Sequence, residues 1–176
     1  MFTHKPTAVL MFAVLLGACA SAAEDSPRLG TPITEAQLQG WDLIVAPDGS
    51  GLPAGSGTAA QGQAVYEQKC AACHGMQGEG TPGVPALAGG SPIATPPLMT
   101  AGSYWPHAST IFDYVRRAMP PLAPKSLTDT EVYQVTAYVL HLHNIVERDF
   151  VLDRDSLPTV QMPNGGNFID RSQVQR

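Results

Sequence analysis

An all-α fold threaded by long loops is what this sequence predicts, on three observations. Apolar residues recur at helical spacing in the stretches before residue 70, before residue 119 and after residue 128, whereas strand-type alternation is confined to Trp41, Leu43 and Val45. The run Thr128-Asp129-Thr130-Glu131 is a capping box at the head of the clearest of these stretches. Between the helical stretches Gly and Pro collect, 17 Gly and 16 Pro in 176 residues, which is rich for a globular chain but below the roughly 25–30% that marks low complexity. The length suits one compact domain with extensions rather than two full domains.

Residues 1–22 read as an export signal: Lys5 precedes a short apolar run from Ala8 to Leu16, and small residues follow. The run is too short to span a membrane stably. Leu16-Gly17-Ala18-Cys19 has the form of a lipoprotein signal, in which Cys19 would be acylated and hold the chain to a membrane surface. Cleavage after Ala20-Ser21-Ala22 is the competing reading, and both export the chain. Residues 23–57 are expected to form an N-terminal arm, with a short helical turn at Glu35 to Leu38 and a strong turn signal at Pro47-Asp48-Gly49-Ser50-Gly51. Residues 58–147 then make the folded domain. Gln61 to Lys69 should be a helix with Gly62 and Tyr66 on one face, and residues 75–106 should be loop, packed as they are with Gly and Pro. A second helix should start near Ser109 or Thr110 and carry Ile111, Val115 and Met119 on one face until Pro120 stops it. The last helix follows the capping box, bears the stripe Val132, Val135, Val139 and Leu142, and should end between Asn144 and Glu147. Residues 148–176 return to Pro, Gly and polar residues and are expected to lie over the surface as a C-terminal tail.

The chemistry is carried by Cys70-Ala71-Ala72-Cys73-His74. Two thiols at this spacing on one helical turn can form thioethers to the two vinyl groups of a haem, and the adjoining imidazole then reaches the iron. A thioredoxin-like pair would need a βαβ context, and a structural zinc site would need a second pair of ligands; neither is present. With three cysteines in all, two of them in this run, no disulfide framework is on offer. The single motif predicts one haem c, Cys70 and Cys73 as its covalent anchors, His74 as proximal ligand, and the fold of a small class I cytochrome c with a haem core.

For the opposite axial position Met119 is the candidate, because it ends an apolar helix and is followed by a short loop before the capped one. Met76 is too near His74 to reach the other haem face, and Met99 and Met162 fall in loops. His141 and His143 read as a solvated helix end and His107 as an outside candidate ligand. Trp105 is either aromatic core or an indole donor to a haem propionate. Arg116 and Arg117 read as a solvated face, with docking or propionate contact as the minor reading. The formal charge of −5 gives no support to nucleic-acid binding and suits a partner with a basic patch.

From Trp41 to Asn164 the chain resembles the monohaem cytochrome subunits of bacterial sulfite dehydrogenases and the related cytochrome subunit of the Sox sulfur dehydrogenase. The resemblance rests on Pro47-Asp48-Gly49-Ser50-Gly51-Leu52-Pro53, Gly102-Ser103-Tyr104-Trp105-Pro106, Ile111 through Pro120, Thr136-Ala137-Tyr138-Val139-Leu140 and Met162-Pro163-Asn164. It implies a periplasmic electron carrier, not itself an enzyme, that serves a molybdenum sulfite or sulfur dehydrogenase and passes electrons to a downstream cytochrome or terminal oxidase. It also places His74 and Met119 on the family's axial ligands. His107 departs from the pattern, standing where an aromatic residue is usual. A general shuttle between respiratory complexes and, at lower weight, a haem enzyme are the competing readings.

Overall fold

The computed structural model describes residues 30–38 and 41–169. The export signal and Cys19 lie outside the described residues. The chain divides into two units, Met1–Leu38 and Gln39–Arg176. Within the first, α1 (Glu35–Leu38) is the single turn expected there, started by Thr34, whose N–H donates to Gln37 Oε1 at 2.8 Å.

The second unit holds α2 (Ala59–Lys69), α3 (Ala71–His74), α4 (Ala101–Tyr104), α5 (Ala108–Ala118) and α6 (Asp129–Leu142), with β1 (Ser56–Gly57), β2 (Leu152–Asp153) and a 3-10 turn at Leu157–Thr159. The all-α expectation holds, the sheet being a two-residue antiparallel ribbon that pairs Ser56 with Asp153 and Gly57 with Leu152. Trp41, Leu43 and Val45 form no strand; the ribbon lies elsewhere, where local alternation is too short to be seen in sequence.

The central helix is α6. Its capping box is formed as expected, Glu131 N–H donating to Thr128 Oγ1 at 3.2 Å and Thr128 N–H to Glu131 Oε2 at 2.8 Å. Burial runs nearly all the way round, taking in Val132, Tyr133 and every residue from Val135 to Leu140, so α6 is a core helix rather than a surface helix with one apolar stripe. It ends at Leu142, earlier than expected, because Asn144 adopts a left-handed φ of 56° that closes the turn.

Helix α2 crosses α6 at Gly62. A Cβ there would stand 1.8 Å from the Gln134 carbonyl oxygen, so the approach requires a residue without one. One turn on, Tyr66 is buried with its ring 5.0 Å from that of Tyr138. Helix α5 begins at Ala108, slightly before the expected start, and buries Ile111 and Phe112; the Phe112 and Tyr133 rings lie 4.5 Å apart.

Three expectations are corrected. Residues 75–106 are not loop throughout, since Thr100 and Ser103 exchange capping bonds that set up α4. The tail is not only laid over the surface: Leu152 and Leu157 are fully buried, Met162 and Asn164 nearly so, and Asn164 Nδ2 donates to Tyr104 O at 2.7 Å. Arg116 is not a solvated charge, because its Nε donates to Asp129 Oδ1 at 2.9 Å and its Nη1 to Leu43 O at 3.3 Å, tying the segment around residue 43 to α5 and α6. Arg117 stays on the exposed face, paired with Asp113 one turn back. No helix among the described residues is long and apolar enough to cross a membrane.

Candidate haem site

The Cys-x-x-Cys-His run forms a tight turn at the end of α2. Cys70 closes α2 and opens α3, and its carbonyl accepts from the N–H groups of both Cys73 (3.1 Å) and His74 (3.0 Å). The chain leaves through Gly75, whose φ of 78° favours glycine. Around the turn most of the backbone carbonyls are engaged. Thr81 Oγ1 donates to Cys73 O at 2.8 Å, Gly80 N–H to His74 O at 2.8 Å, and Tyr66 Oη to Gly75 O at 3.0 Å. The backbone carrying the two thiols and the imidazole is thereby held in one arrangement.

This turn forms one wall of a cavity of about 660 Å³, within the range of roughly 300–1,000 Å³ typical of cofactor sites. Cys70, Cys73, His74 and Met119 all line it. The remaining walls are mainly apolar and come from the loop after the motif (Val84, Leu87), from α4 and Trp105, from α5 (Ile111, Val115) and from α6 (Val135, Val139). Exposed Leu122 and Met99 also line it.

The donors present suit a haem. Cys70 and Cys73 are free thiols, and burial pushes the Cys70 thiol up to about 11, so it is a neutral thiol at pH 7 and burdens the apolar wall with no charge. Burial lowers the His74 pKa, favouring the neutral imidazole that ligates a metal. His74 Nδ1 is buried without a hydrogen-bond partner, so no intramolecular bond fixes the ring and a bound group is left to do so. Among the described residues, Lys69 is the one charged side chain on the lining, and it is paired with Glu131 at 2.6 Å.

The other sequence candidates separate. Met99 lines the cavity although it sits in a loop, whereas Met76, Met162 and His107 do not. Trp105 is on the lining, its ring 5.7 Å from that of Tyr114 in an edge-on contact. Neither Arg116 nor Arg117 reaches the cavity. The reading of His141 and His143 as a solvated helix end is overturned for both. His141 Nδ1 lies 3.0 Å from Val146 O, and His143 is half-buried with Nε2 3.2 Å from Leu87 O. Sequence pattern missed His143 because its contacts come from segments 56 and 41 residues away.

The family described as Cytochrome C oxidase, cbb3-type, subunit III matches residues 57–139. A thiosulfate dehydrogenase of Allochromatium vinosum is 32% identical over 79 residues, covering 45% of this chain and 29% of that protein. A cbb3-type cytochrome c oxidase subunit CcoP of Azospirillum sp. is 31% identical over 139 residues, covering 70% of this chain and 44% of the relative. The chain thus spans less than half the length of these curated relatives. Among solved structures, the sulfane dehydrogenase SoxCD of Paracoccus pantotrophus matches with a TM-score of 0.78 at 40% identity, over 85% of this chain and 75% of that one. With the haem-attachment motif opening onto a cavity of fitting size, and with that identity and coverage, the chain is a c-type cytochrome of the sulfur dehydrogenase cytochrome subunit family.

Proposed function

We propose that this chain carries one haem c and moves single electrons from a periplasmic molybdenum sulfite or sulfur dehydrogenase to a downstream cytochrome or terminal oxidase. The observation that carries the proposal is the convergence of Cys70, Cys73, His74 and Met119 on one cavity. A bound haem supplies an iron that gains and loses one electron. Cys70 and Cys73 would anchor it as thioethers, His74 and Met119 would take its axial positions, and Trp105 offers an indole N–H to a propionate. With His74 and Met119 both holding the iron, the bound haem would offer substrate no open position, so in this proposal the sulfur chemistry falls to the partner and this chain relays charge. Residues 1–22 would direct export, with Cys19 as the point of lipid attachment, residues 23–57 would form the arm, 58–147 the cytochrome domain and 148–176 its extension.

The test mixes the ferric protein with sulfite, with and without its co-encoded molybdoenzyme, and follows haem reduction optically. Fast reduction is expected only with the enzyme, quicker as ionic strength falls because an acidic carrier is steered by opposite charge. Turnover without the enzyme, or no reduction by an active one, overturns the assignment.

Met119→Ala tests the distal ligand. The weak sulfur-to-ferric-iron charge-transfer band is expected to vanish, and the potential to fall by on the order of 100 mV, a modest part of the ~0.8 V that axial ligation spans. Retention of the band would transfer the role to Met99, the other thioether on the lining.

A further inference from the structure

The C-cap of α6 places an imidazole between two walls of the cavity. His143 Nε2 lies 3.3 Å from the backbone N of Gly102 in α4 and 3.2 Å from the carbonyl oxygen of Leu87. The ring rests directly on the α4 backbone, since a Cβ on Gly102 would come within 2.3 Å of His143 Cγ and Cδ2. One partner, Leu87, lines the cavity, and the other, Gly102, follows directly on Thr100 and Ala101, which line it. The Leu87 segment is anchored by Leu87 N–H and Ala88 N–H donating to Gly78 O, and Thr100 Oγ1 donates to Gly89 O at 2.6 Å.

One imidazole nitrogen cannot serve both contacts at once. In the neutral ring carrying its proton on Nδ1, the single Nε2 lone pair accepts from Gly102 N–H and no bond reaches the Leu87 carbonyl; in the imidazolium, Nε2–H donates to Leu87 O and can no longer accept from Gly102 N–H. We propose that His143 is a positioning residue for the haem cavity, whose Nε2 bonds either the α4 wall through Gly102 or the opposite loop wall through Leu87, with protonation selecting the loop wall. The haem environment then depends on pH through a group that neither lines the cavity nor lies near His74 or Met119 in sequence. This rests on the cavity holding haem.

The surroundings leave the choice to the imidazole itself. Burial lowers its pKa and the Leu87 carbonyl acts the other way. The elements packed on it carry few titratable groups: Glu79 in residues 75–100, Tyr104 on α4 and His141 in the last turn of α6. Glu79 Oε2 accepts from Gln77 N–H at 2.7 Å and His141 is engaged with Val146, so none of the three bonds to His143. Because the folded pKa is depressed, the unfolded chain takes up this proton first. The His143 contribution to stability is therefore lost as pH falls from about 6.5 toward the folded pKa, and levels off below it.

The experiment uses the haem-loaded protein. In the unmodified chain, the His143 imidazole, the Gly102 amide and the reduction potential are followed from pH 8 to pH 5. A Gly102 transition coincident with His143 titration is expected, with Gly102 amide exchange about five- to tenfold faster than intrinsic pH effects allow, corresponding to one lost hydrogen bond. His143→Gln separates donor and acceptor onto two atoms and does not titrate in this range, so it should keep Gly102 protected and abolish the pH step in potential. His143→Phe should lose both. A Gly102 amide that ignores His143 titration, or a His143→Phe protein that keeps the native pH step, overturns the proposal, and the first of these is read without any variant. A protein that fails to bind haem covalently in a pyridine haemochrome assay sinks the functional reading, whereas a haem-loaded protein with a flat Gly102 response sinks only the role of His143.

Discussion

A chain carrying Cys70→Ala and Cys73→Ala together is expected to hold no covalent haem and to lose its cooperative thermal transition. The cavity explains the second effect. Without its occupant, the apolar lining from Ile111, Val115, Val135 and Val139 around a cavity of about 660 Å³ is left against water and loses the contacts that burial would give it. Domains are stable by only roughly 5–15 kcal/mol, so a loss of this kind weighs heavily. The measurement is a thermal melt by far-UV circular dichroism beside a haem assay on denatured protein. A haem-free variant that melts as sharply and as hot as the native protein would show that the fold does not need the occupant.

Gly62→Ala is expected to be the most damaging single-methyl insertion outside the haem site. The new Cβ would lie 1.8 Å from Gln134 O and 2.5 Å from its carbonyl carbon. Those are backbone atoms of the central helix and cannot swing aside as a side-chain end would. Alanine gains up to about 1 kcal/mol over glycine in helix propensity, while overpacking of this kind costs about 1–3 kcal/mol or more. With the clash at the severe end, a net loss of about 2 kcal/mol is expected, which lowers Tm by roughly 4–8 °C for a chain of this size. Gln68→Ala, on the exposed side of the same helix, is the control and should leave Tm unchanged. An unchanged Tm in Gly62→Ala would mean that α2 and α6 cross less closely than described.

What could be read from the chain beforehand divides along physical lines. The capping box at Thr128, the Gly62/Tyr66 face and the stop at Pro120 are local, and each is found in the fold. Placing His74 and Met119 on one cavity was also expected, because a covalent motif and a helix-ending methionine are both visible without tertiary information. The ribbon of Ser56–Gly57 with Leu152–Asp153 was not legible, since two residues cannot display alternation. Nor was α4: its Thr100 and Ser103 caps stand amid Gly and Pro that argue for loop. The burial of Leu157 and the anchoring of Arg116 come from partners distant in sequence. His143 shows the same limit most clearly, as position near a helix end suggests solvent until Leu87 and Gly102 close over it.

The ribbon and the tail behind it also bear on how the molecule comes into being. Arg154 Nη2 donates to Leu52 O at 2.8 Å, a bond across 102 positions, and β2 packs against α6 beside the buried Leu152. A polypeptide made from its N-terminus therefore has α2, α5 and α6 in hand while part of its core is still missing. Contacts of such long sequence separation form late, since loop closure must precede them. The core is therefore sealed only when Leu152 and Leu157 arrive, long after Cys70 and Cys73 have been made, so the thiol-bearing turn exists for a time beside an unfinished core.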